Sequence, residues 1–257
     1  YLAFMLLLLA LILRAVSIEF RSKQPMGWWR SLWDICFSVG SFLSALLIGV
    51  AMGNVVRGIP IDSDGNFTGT FWSLLNPYSL LLGVTTVALF AMHGTIYLVM
   101  KTEGDVQMHL RRILRPTMVL FILLLICHAA ATLLYIDHVR VALENRPWMF
   151  AVLVLAVASV AFIPPLLKKH REGWAFISSC SLMACLMAMF GASMFPNLLY
   201  SMPNPQYSLT IYNGASTRFS LEIMTVIALI GVPLVLSYSA AIYWIFRGKV
   251  HINESSY

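Results

Sequence analysis

The sequence predicts an all-α protein, a polytopic bundle of transmembrane helices, from three observations. Of its 257 residues, 60% are hydrophobic and only 11% are charged, whereas an ordinary soluble domain carries roughly 25% charged residues. Apolar segments recur at about the 20-residue length that a helix needs to cross the hydrocarbon core of a bilayer. The basic residues gather in alternate connections between those segments. A mean hydropathy of +0.81 excludes a surface that faces water throughout.

Seven apolar segments divide the chain, and each is near the length of a tilted transmembrane helix. Helix is the only state they favour. An open sheet would leave backbone groups unsatisfied in lipid, and the alternating ten-residue pattern of a β-barrel is absent. We therefore treat residues 1–257 as a single integral membrane domain. Its predicted spans are about residues 1–18, 32–56, 76–100, 116–136, 148–167, 174–200 and 221–246.

The distribution of Lys and Arg predicts how the spans are oriented. Thirteen of the 17 basic residues fall on one side and four on the other. The positive-inside rule puts the richer side in the cytoplasm, so the C-terminus lies inside and residue 1 outside. This topology accounts for the net charge of +6, and we predict no nucleic-acid partner. The cytoplasmic set is Arg14, Arg21, Lys23, Arg30, Lys101, Arg111, Arg112, Arg115, Lys168, Lys169, Arg171, Arg247 and Lys249, and the outer set is Arg57, Arg140, Arg146 and Arg218.

The sequence carries no pattern for catalysis or metal binding. Its four cysteines, Cys36, Cys127, Cys180 and Cys185, lie in apolar segments without a CxxC pair, which is typical of packing residues. It contains no Ser/His/Asp arrangement, phosphate-binding loop or zinc spacing. We therefore assign no catalytic residue and no metal ligand.

Two histidines, His93 and His128, lie within predicted spans. A haem held by two histidines needs both at one depth on facing helices. At 1.5 Å per residue, His93 lies about 10 Å from the inner face and His128 about 12 Å from the outer face of a core of roughly 30 Å. We predict that this chain holds no haem by itself. His93 is expected to make a hydrogen bond inside the bundle, with a position on a proton path as the alternative.

Acidic residues at the span ends are the other functional candidates, because ionisable groups are costly in a membrane unless they have a role. Asp34 and Glu19 lie at the inner ends of their spans. Together with His93, they form the set of candidate proton-path or buried polar residues. The simpler interpretation of the acids is interfacial ion pairing. The expected pairs are Glu19 with Arg21, Asp34 with Arg30, and Glu222 with Arg218.

Small residues recur within two spans and predict close helix approach there. The first group is Gly40, Ser41, Ser44 and Gly49, and the second is Ser178, Ser179, Ser181 and Gly191.

A series of short motifs runs along nearly the whole chain. They are Ile18–Lys23 (IEFRSK), Trp33–Asp34 (WD), Gly40–Phe42 (GSF), Gly49–Asn54 (GVAMGN), Leu74–Tyr78 (LLNPY), His93–Leu98 (HGTIYL), Lys101–Gly104 (KTEG), Met194–Pro196 (MFP) and Ser208–Thr210 (SLT). Each motif is too short to be specific alone. In this order and spacing they resemble subunit II of the cytochrome bd-type quinol oxidases.

The resemblance implies a protein of the bacterial cytoplasmic membrane, in a respiratory complex that oxidises quinol and reduces dioxygen to water. In that family, subunit I carries haem b and haem d. Subunit II is its haem-free partner, inactive alone, implicated in proton access and, in some members, in quinone binding. Small accessory subunits are a further expected class of partner. The family has nine helices in two four-helix-bundle-like halves, so seven spans and a first residue other than Met imply that two N-terminal helices are missing.

The motifs at the inner ends of spans also contain three expected loop anchors, Arg21, Lys101 and Glu103. Other functions stay open on the sequence. They are a secondary transporter or permease subunit, an assembly or anchoring protein, and a self-contained b-type cytochrome. Neither an internal repeat nor a cluster of intramembrane charge supports the transporter.

Overall fold

The structure, a computed structural model, describes residues 1–202 and 204–249. Pro203 and residues 250–257, which the predicted single domain includes, lie outside the described residues. Over the described residues the chain is mostly helical, with two short strands and 3-10 turns at Phe71–Leu74 and Pro205–Tyr207. The helices are α1 (Leu2–Arg21), α2 (Gly27–Arg57), α3 (Pro77–Lys101), α4 (Gly104–Tyr135), α5 (Asp137–Asn145), α6 (Trp148–Lys168), α7 (Glu172–Met194) and α8 (Arg218–Ile245). The strands are β1 (Asn197–Leu199) and β2 (Leu209–Thr210).

Seven of the described helices, all except α5, are long and apolar enough to cross a membrane. The predicted all-α fold with seven spans is therefore confirmed. Helix is required at these positions because only a backbone that bonds within its own segment can lie in hydrocarbon.

α4 begins earlier than the sequence predicts, at Gly104 rather than at Pro116. Its 32 residues extend about 48 Å, well beyond a hydrocarbon core of roughly 30 Å. The first turns of α4 therefore project past the core. Arg111, Arg112 and Arg115, which we expected in a loop, lie on this helical extension. Thr102 and Glu103 are the whole connection between α3 and α4.

α7 ends six residues before the predicted end of its span, at Met194 rather than at residue 200. Pro196 follows, joined to Phe195 by a cis peptide bond, and a proline has no backbone N–H with which to continue a helix. The next residues instead form β1, which pairs antiparallel with β2. This small sheet and the nine-residue α5 were not predicted, because both are shorter than any membrane-length segment.

Four helices, α3, α4, α6 and α7, pack around one apolar core. α3 contributes Met92 and Ile96, α4 contributes Phe121, α6 contributes Ile163, and α7 contributes Leu182; all five are fully buried. These four helices form one of the four-helix bundles that the family resemblance implies. α3 also contacts α2, which in turn packs against α1, so α3 belongs to both helix groups.

Glycines set the distance between α2 and α3. A Cβ atom on Gly49 would lie 2.6 Å from the Thr86 hydroxyl and 2.7 Å from the Cα atom of Gly83. A Cβ atom on Gly53 would lie 2.6 Å from the Cα atom of Ser79. Since real Cβ atoms do not approach so closely, this packing exists only because no side chain is present. Gly40 has the same role against α1, where a Cβ atom would lie 2.8 Å from the Ala10 carbonyl oxygen.

The long connections at one end of the bundle fold over one another as a cap. Ile59 donates its backbone N–H to the Tyr200 carbonyl at 3.0 Å, and Met202 donates back to Ile59 at 3.1 Å. The Ser201 hydroxyl, fully buried, donates to the Ile61 carbonyl at 3.2 Å. Residues 140 positions apart in the chain are thereby held together. By the predicted topology this cap lies on the outer side.

α8 stands apart from the bundle. None of its residues is buried, although its sequence is strongly apolar. Hydrogen bonds hold it at its C-terminal end, where Lys101 of α3 donates to the carbonyls of Phe246 and Gly248, just after the helix.

We expect Gly49→Leu to destabilise the protein by about 1–3 kcal/mol or to block assembly, because the new side chain overpacks the α2–α3 contact. Gly94→Leu is the matched control, because a Cβ atom there meets nothing within 4 Å. Thermal denaturation of the detergent-purified complex, followed by size-exclusion chromatography, measures both. Equal melting temperatures for the two variants would contradict the close packing described above.

Candidate functional site

The C-terminal end of α1 and the N-terminal part of α2 are joined by one ion pair. The Arg21 guanidinium donates from Nε to Asp34 Oδ1 at 2.6 Å, and both side chains are about half exposed. Trp29 Nε1 adds a hydrogen bond to the Phe20 carbonyl at 2.7 Å. Asp34 and Arg21 thus join the two helices across their short connection.

Two of the three expected ion pairs are therefore wrong. Asp34 pairs with Arg21 rather than with Arg30, and Arg21 is not paired with Glu19. The connection between α1 and α2 is so short that a partner across the turn is nearer than one on the same helix face. Glu19 is exposed and takes part in none of the ion pairs found among residues 1–202 and 204–249. The third pair, Arg218 with Glu222 at 2.9 Å, is confirmed.

His93 makes the hydrogen bond inside the bundle that the sequence predicts. Its Nδ1 atom lies 2.8 Å from the Ser179 hydroxyl on α7, and its ring stacks on Phe176 at 4.9 Å between centroids. The Ser179 hydroxyl donates its single hydrogen to the Phe176 carbonyl at 2.7 Å. The hydroxyl must then accept from His93, so Nδ1 carries the proton and Nε2 keeps a free lone pair.

A second group of serine hydrogen bonds joins α6 to α7. Ser178 donates to the Ser159 carbonyl at 2.8 Å, and the Ser159 hydroxyl donates to Ser181 at 3.2 Å. We predicted the serines of α7 as small packing residues, and they also make hydrogen bonds to α6. Polar contacts therefore join α7 to α3 on one side and to α6 on the other.

His128 lies in a different polar contact, far from His93 along the bundle. Its ring packs 5.3 Å from that of Tyr78, whose hydroxyl lies 2.9 Å from Thr132 Oγ1. The Nδ1 atom of His128 is buried without a hydrogen-bond partner. Tyr78 and His93 lie on the same helix fifteen residues apart, a separation of about 22 Å.

This separation bears on whether the chain could hold a haem. Two axial histidines must face one another across the iron. His93 lies toward the C-terminal end of α3, whereas His128 packs beside Tyr78 at the N-terminal end of α3. His93 is moreover engaged by α7 through Ser179 and Phe176. The side chains present therefore do not fit a haem between these two histidines. Among the described residues, His, Cys, Asp and Glu side chains also do not gather in groups of three or more that could hold a metal ion.

The LLNPY motif has a local structural role at the start of α3. Asn76 caps the helix, its side chain accepting from the Ser79 backbone N–H at 3.0 Å, and Pro77 takes the first helical position. The Asn76 amide also donates to Asn54 Oδ1 at 3.0 Å, and Asn54 donates to the Leu74 carbonyl at 2.8 Å. The motif therefore joins the end of α2 to the start of α3.

One histidine of the cap lies outside the spans. His138 of α5 stacks on Tyr200 at 4.3 Å between ring centroids, and its Nε2 atom is buried without a hydrogen-bond partner. Burial lowers the pKa of His138, against the opposing effects of a backbone hydrogen bond with Val56 and of the nearby Asp137. The ring is therefore held in its neutral form, which suits an apolar stack.

Two of the three expected loop anchors, Lys101 and Glu103, lie together at the C-terminal ends of α3 and α8, whereas Arg21 lies at the end of α1. Lys101 Nζ donates to the Phe246 carbonyl at 2.6 Å and to the Gly248 carbonyl at 3.2 Å. Glu103 Oε1 lies 3.4 Å from Lys249 Nζ. Carbonyls at a helix C-terminus attract a cation, so the KTEG motif holds the end of α8. A neighbouring ion pair, Arg111 with Glu172, joins α4 to α7 and was not predicted, since its two residues are 61 positions apart.

The fold and these contacts define a class, a multi-pass helical membrane protein whose apolar core is crossed by a few polar contacts between helices. The family model for cytochrome bd terminal oxidase subunit II matches residues 1–246. The chain belongs to that family, as its motifs predict, and so to the subunits of an oxidoreductase complex of the bacterial inner membrane.

Individual relatives agree with this assignment. The chain is 31% identical over 283 aligned positions to cytochrome bd-I ubiquinol oxidase subunit 2 of Escherichia coli K12, covering 97% of this chain and 74% of the relative. It is 30% identical over 255 positions to cytochrome bd ubiquinol oxidase subunit 2 of Bacillus subtilis, covering 99% and 74%. Its fold matches the bd oxidase structure from Geobacillus thermodenitrificans with a TM-score of 0.73 at 18% identity, covering 96% and 74%.

Proposed function

We propose that this chain is the haem-free subunit II of a quinol:oxygen oxidoreductase and that it stabilises a haem-bearing subunit I. The observation that carries the proposal is the family match over residues 1–246, with relatives named as ubiquinol oxidase subunits. Haem b and haem d belong to the partner subunit in this proposal. Quinol oxidation and dioxygen reduction take place there, and this chain alone is inactive. The family match leaves the transporter alternative without support.

The histidine positions support the haem-free role. His93 lies toward one end of α3 and His128 packs beside the other end, so the two cannot form an axial pair. Large apolar side chains remain exposed over α1, α2 and α8, and in a membrane protein such surface meets lipid or another subunit. A bound quinone and small accessory subunits are further proposed partners.

We also propose that the C-terminus faces the cytoplasm and residue 1 the outer side. The distribution of basic residues supports this orientation, as does the extension of α4, whose arginines lie beyond the hydrocarbon length.

The orientation predicts which loops react from outside the cell. Ser63→Cys, in the connection after α2, is expected to react with a membrane-impermeant maleimide added to intact spheroplasts. Thr102→Cys, in the connection after α3, is expected to react only after the membrane is opened. The reverse pattern of labelling would overturn the proposed topology.

Among the three proton-path candidates, His93 has the strongest physical case. Its Nδ1 proton is committed to Ser179, and its Nε2 lone pair is free to accept a proton. Asp34 is paired with Arg21 at 2.6 Å, a contact that suits a structural tie between α1 and α2. Glu19 is exposed at the helix end and is proposed only as an entry group.

We expect His93→Ala and His93→Gln both to slow quinol-driven oxygen consumption at least about tenfold, because neither side chain can accept and release a proton. Gln retains an N–H that can donate to Ser179, so it separates proton transfer from packing. His128→Ala, on α4 beside Tyr78 at the other end of α3, is the control and is expected to keep its turnover. Oxygen uptake per haem, measured on membranes with matched haem content, is the readout.

If His93→Gln works as fast as the wild type while His93→Ala is slow, His93 is a packing residue and the proton proposal fails. Loss of haem from all three variants would point to assembly in the same way. Neither result would weaken the assignment of the chain as subunit II, which rests on the family match.

A further inference from the structure

We propose that the cleft between α3 and α8 at their inner ends binds the head group of one anionic phospholipid. The cleft, called the inner groove below, has a volume of about 410 Å³. Its lining residues are Tyr97, Tyr238, Ser239, Ile242, Tyr243 and Phe246. The inference is independent of the proposed oxidase function.

The inner groove lies at the depth of lipid head groups. Tyr97 is four residues before the end of α3, and Tyr243 is two residues before the end of α8, so they lie about 6 Å and 3 Å from the helix ends. The phenol hydroxyls of Tyr97 and Tyr243 provide hydrogen-bond donors there. Tyr238 and Ser239, about 10 Å and 9 Å from the end of α8, provide two more donors deeper in the groove. Ile242 and Phe246 provide an apolar surface for the start of an acyl chain. This mixture suits the boundary between head groups and hydrocarbon.

The charges beside the inner groove favour an anion. Lys101 bonds to the carbonyl of the lining residue Phe246, and Arg247 and Lys249 follow Phe246 in the chain. These three residues contribute three positive charges, and Glu103, 3.4 Å from Lys249, contributes one negative charge. Lys101 donates to the Phe246 and Gly248 carbonyls, which leaves one of its three N–H groups uncommitted to them. Those two carbonyls would otherwise repel a phosphate, and Lys101 already engages both. The Arg247 guanidinium lies 5.2 Å from the centroid of the Trp244 ring, and Trp244 follows the lining residue Tyr243.

The inner groove, at about 410 Å³, falls within the range of small-molecule sites, roughly 300–1,000 Å³. α8 has no buried residue among those described, so an occupant here would also add contact to a helix that is otherwise held chiefly at its end.

The test uses the intact complex, exchanged into nanodiscs that contain equal amounts of phosphatidylglycerol and phosphatidylcholine. After extraction into detergent, native mass spectrometry counts the lipids of each kind that stay bound. We expect the wild type to retain phosphatidylglycerol in preference to phosphatidylcholine. Arg247→Gln is expected to weaken that retention about fivefold, the effect of one basic side chain on an anionic lipid.

Two further variants separate this groove from general surface charge. Ser239→Trp fills the inner groove without changing any charge and is expected to abolish the preferential retention. Lys169→Gln removes one positive charge from the connection between α6 and α7 and is expected to leave retention unchanged. Should Ser239→Trp fail to assemble, Tyr243→Phe removes one hydroxyl donor and is expected to lower retention in the same direction as Arg247→Gln.

Equal retention of the two lipids by the wild type would overturn the proposal. So would a loss in Lys169→Gln as large as that in Arg247→Gln, since it would show adsorption to the basic face as a whole. A photo-reactive residue at Ile242 adds a direct check. It is expected to cross-link to phospholipid, and cross-linking to a polypeptide instead would show that a protein segment occupies the groove.

Discussion

The close approach of α2 and α3 is the contact on which the rest of the structure depends. Gly49, Gly53 and Gly83 remove the side chains that would hold the two helices apart, so backbone meets backbone with gaps too small for a Cβ atom. Lipid tails are as apolar as leucine, so helices in a membrane gain little from burying apolar surface against each other. Dense packing of this kind must supply the association. Since α3 is also a member of the four-helix bundle, its contact with α2 joins both helix groups into one body.

Several polar side chains inside this body pair with one another, a pattern that fits a supporting subunit, although His128 Nδ1 is buried without a partner. His93 is engaged by Ser179, the serines of α6 and α7 by one another, and Asn54 by Asn76. A haem site needs two histidines that face each other, and a transporter needs polar groups that converge on one cavity. Here His93 lies toward one end of α3 and His128 packs beside Tyr78 at the other. This arrangement supports the proposal that the chemistry of the complex belongs to the partner subunit.

Much of this could be predicted from the sequence, because hydropathy and the distribution of basic residues report directly on membrane crossing. The seven spans followed from such patterns, the family from the order and spacing of short motifs, and the His93 hydrogen bond from the position of that histidine within a span. The contacts that were missed depend on three-dimensional proximity between distant residues. Arg111 meets Glu172 only once α4 lies beside α7, and Arg21 reaches Asp34 only because the α1–α2 connection is short. The end of α7 was misplaced because a hydropathy pattern does not register that Pro196 ends the helix. α5 was missed because its length lies far below that of a span.

The central claim is that this chain supports a haem-bearing subunit without holding haem itself. The most direct test is a pair of reduced-minus-oxidised absorption spectra, one of the complex purified through a tag on this chain and one of this chain expressed and purified alone. We predict haem b and haem d bands, together with a second large membrane subunit, in the complex, and no haem bands in the isolated chain. Haem bands in the isolated chain, or a tagged preparation that contains neither haem nor a partner, would contradict this account.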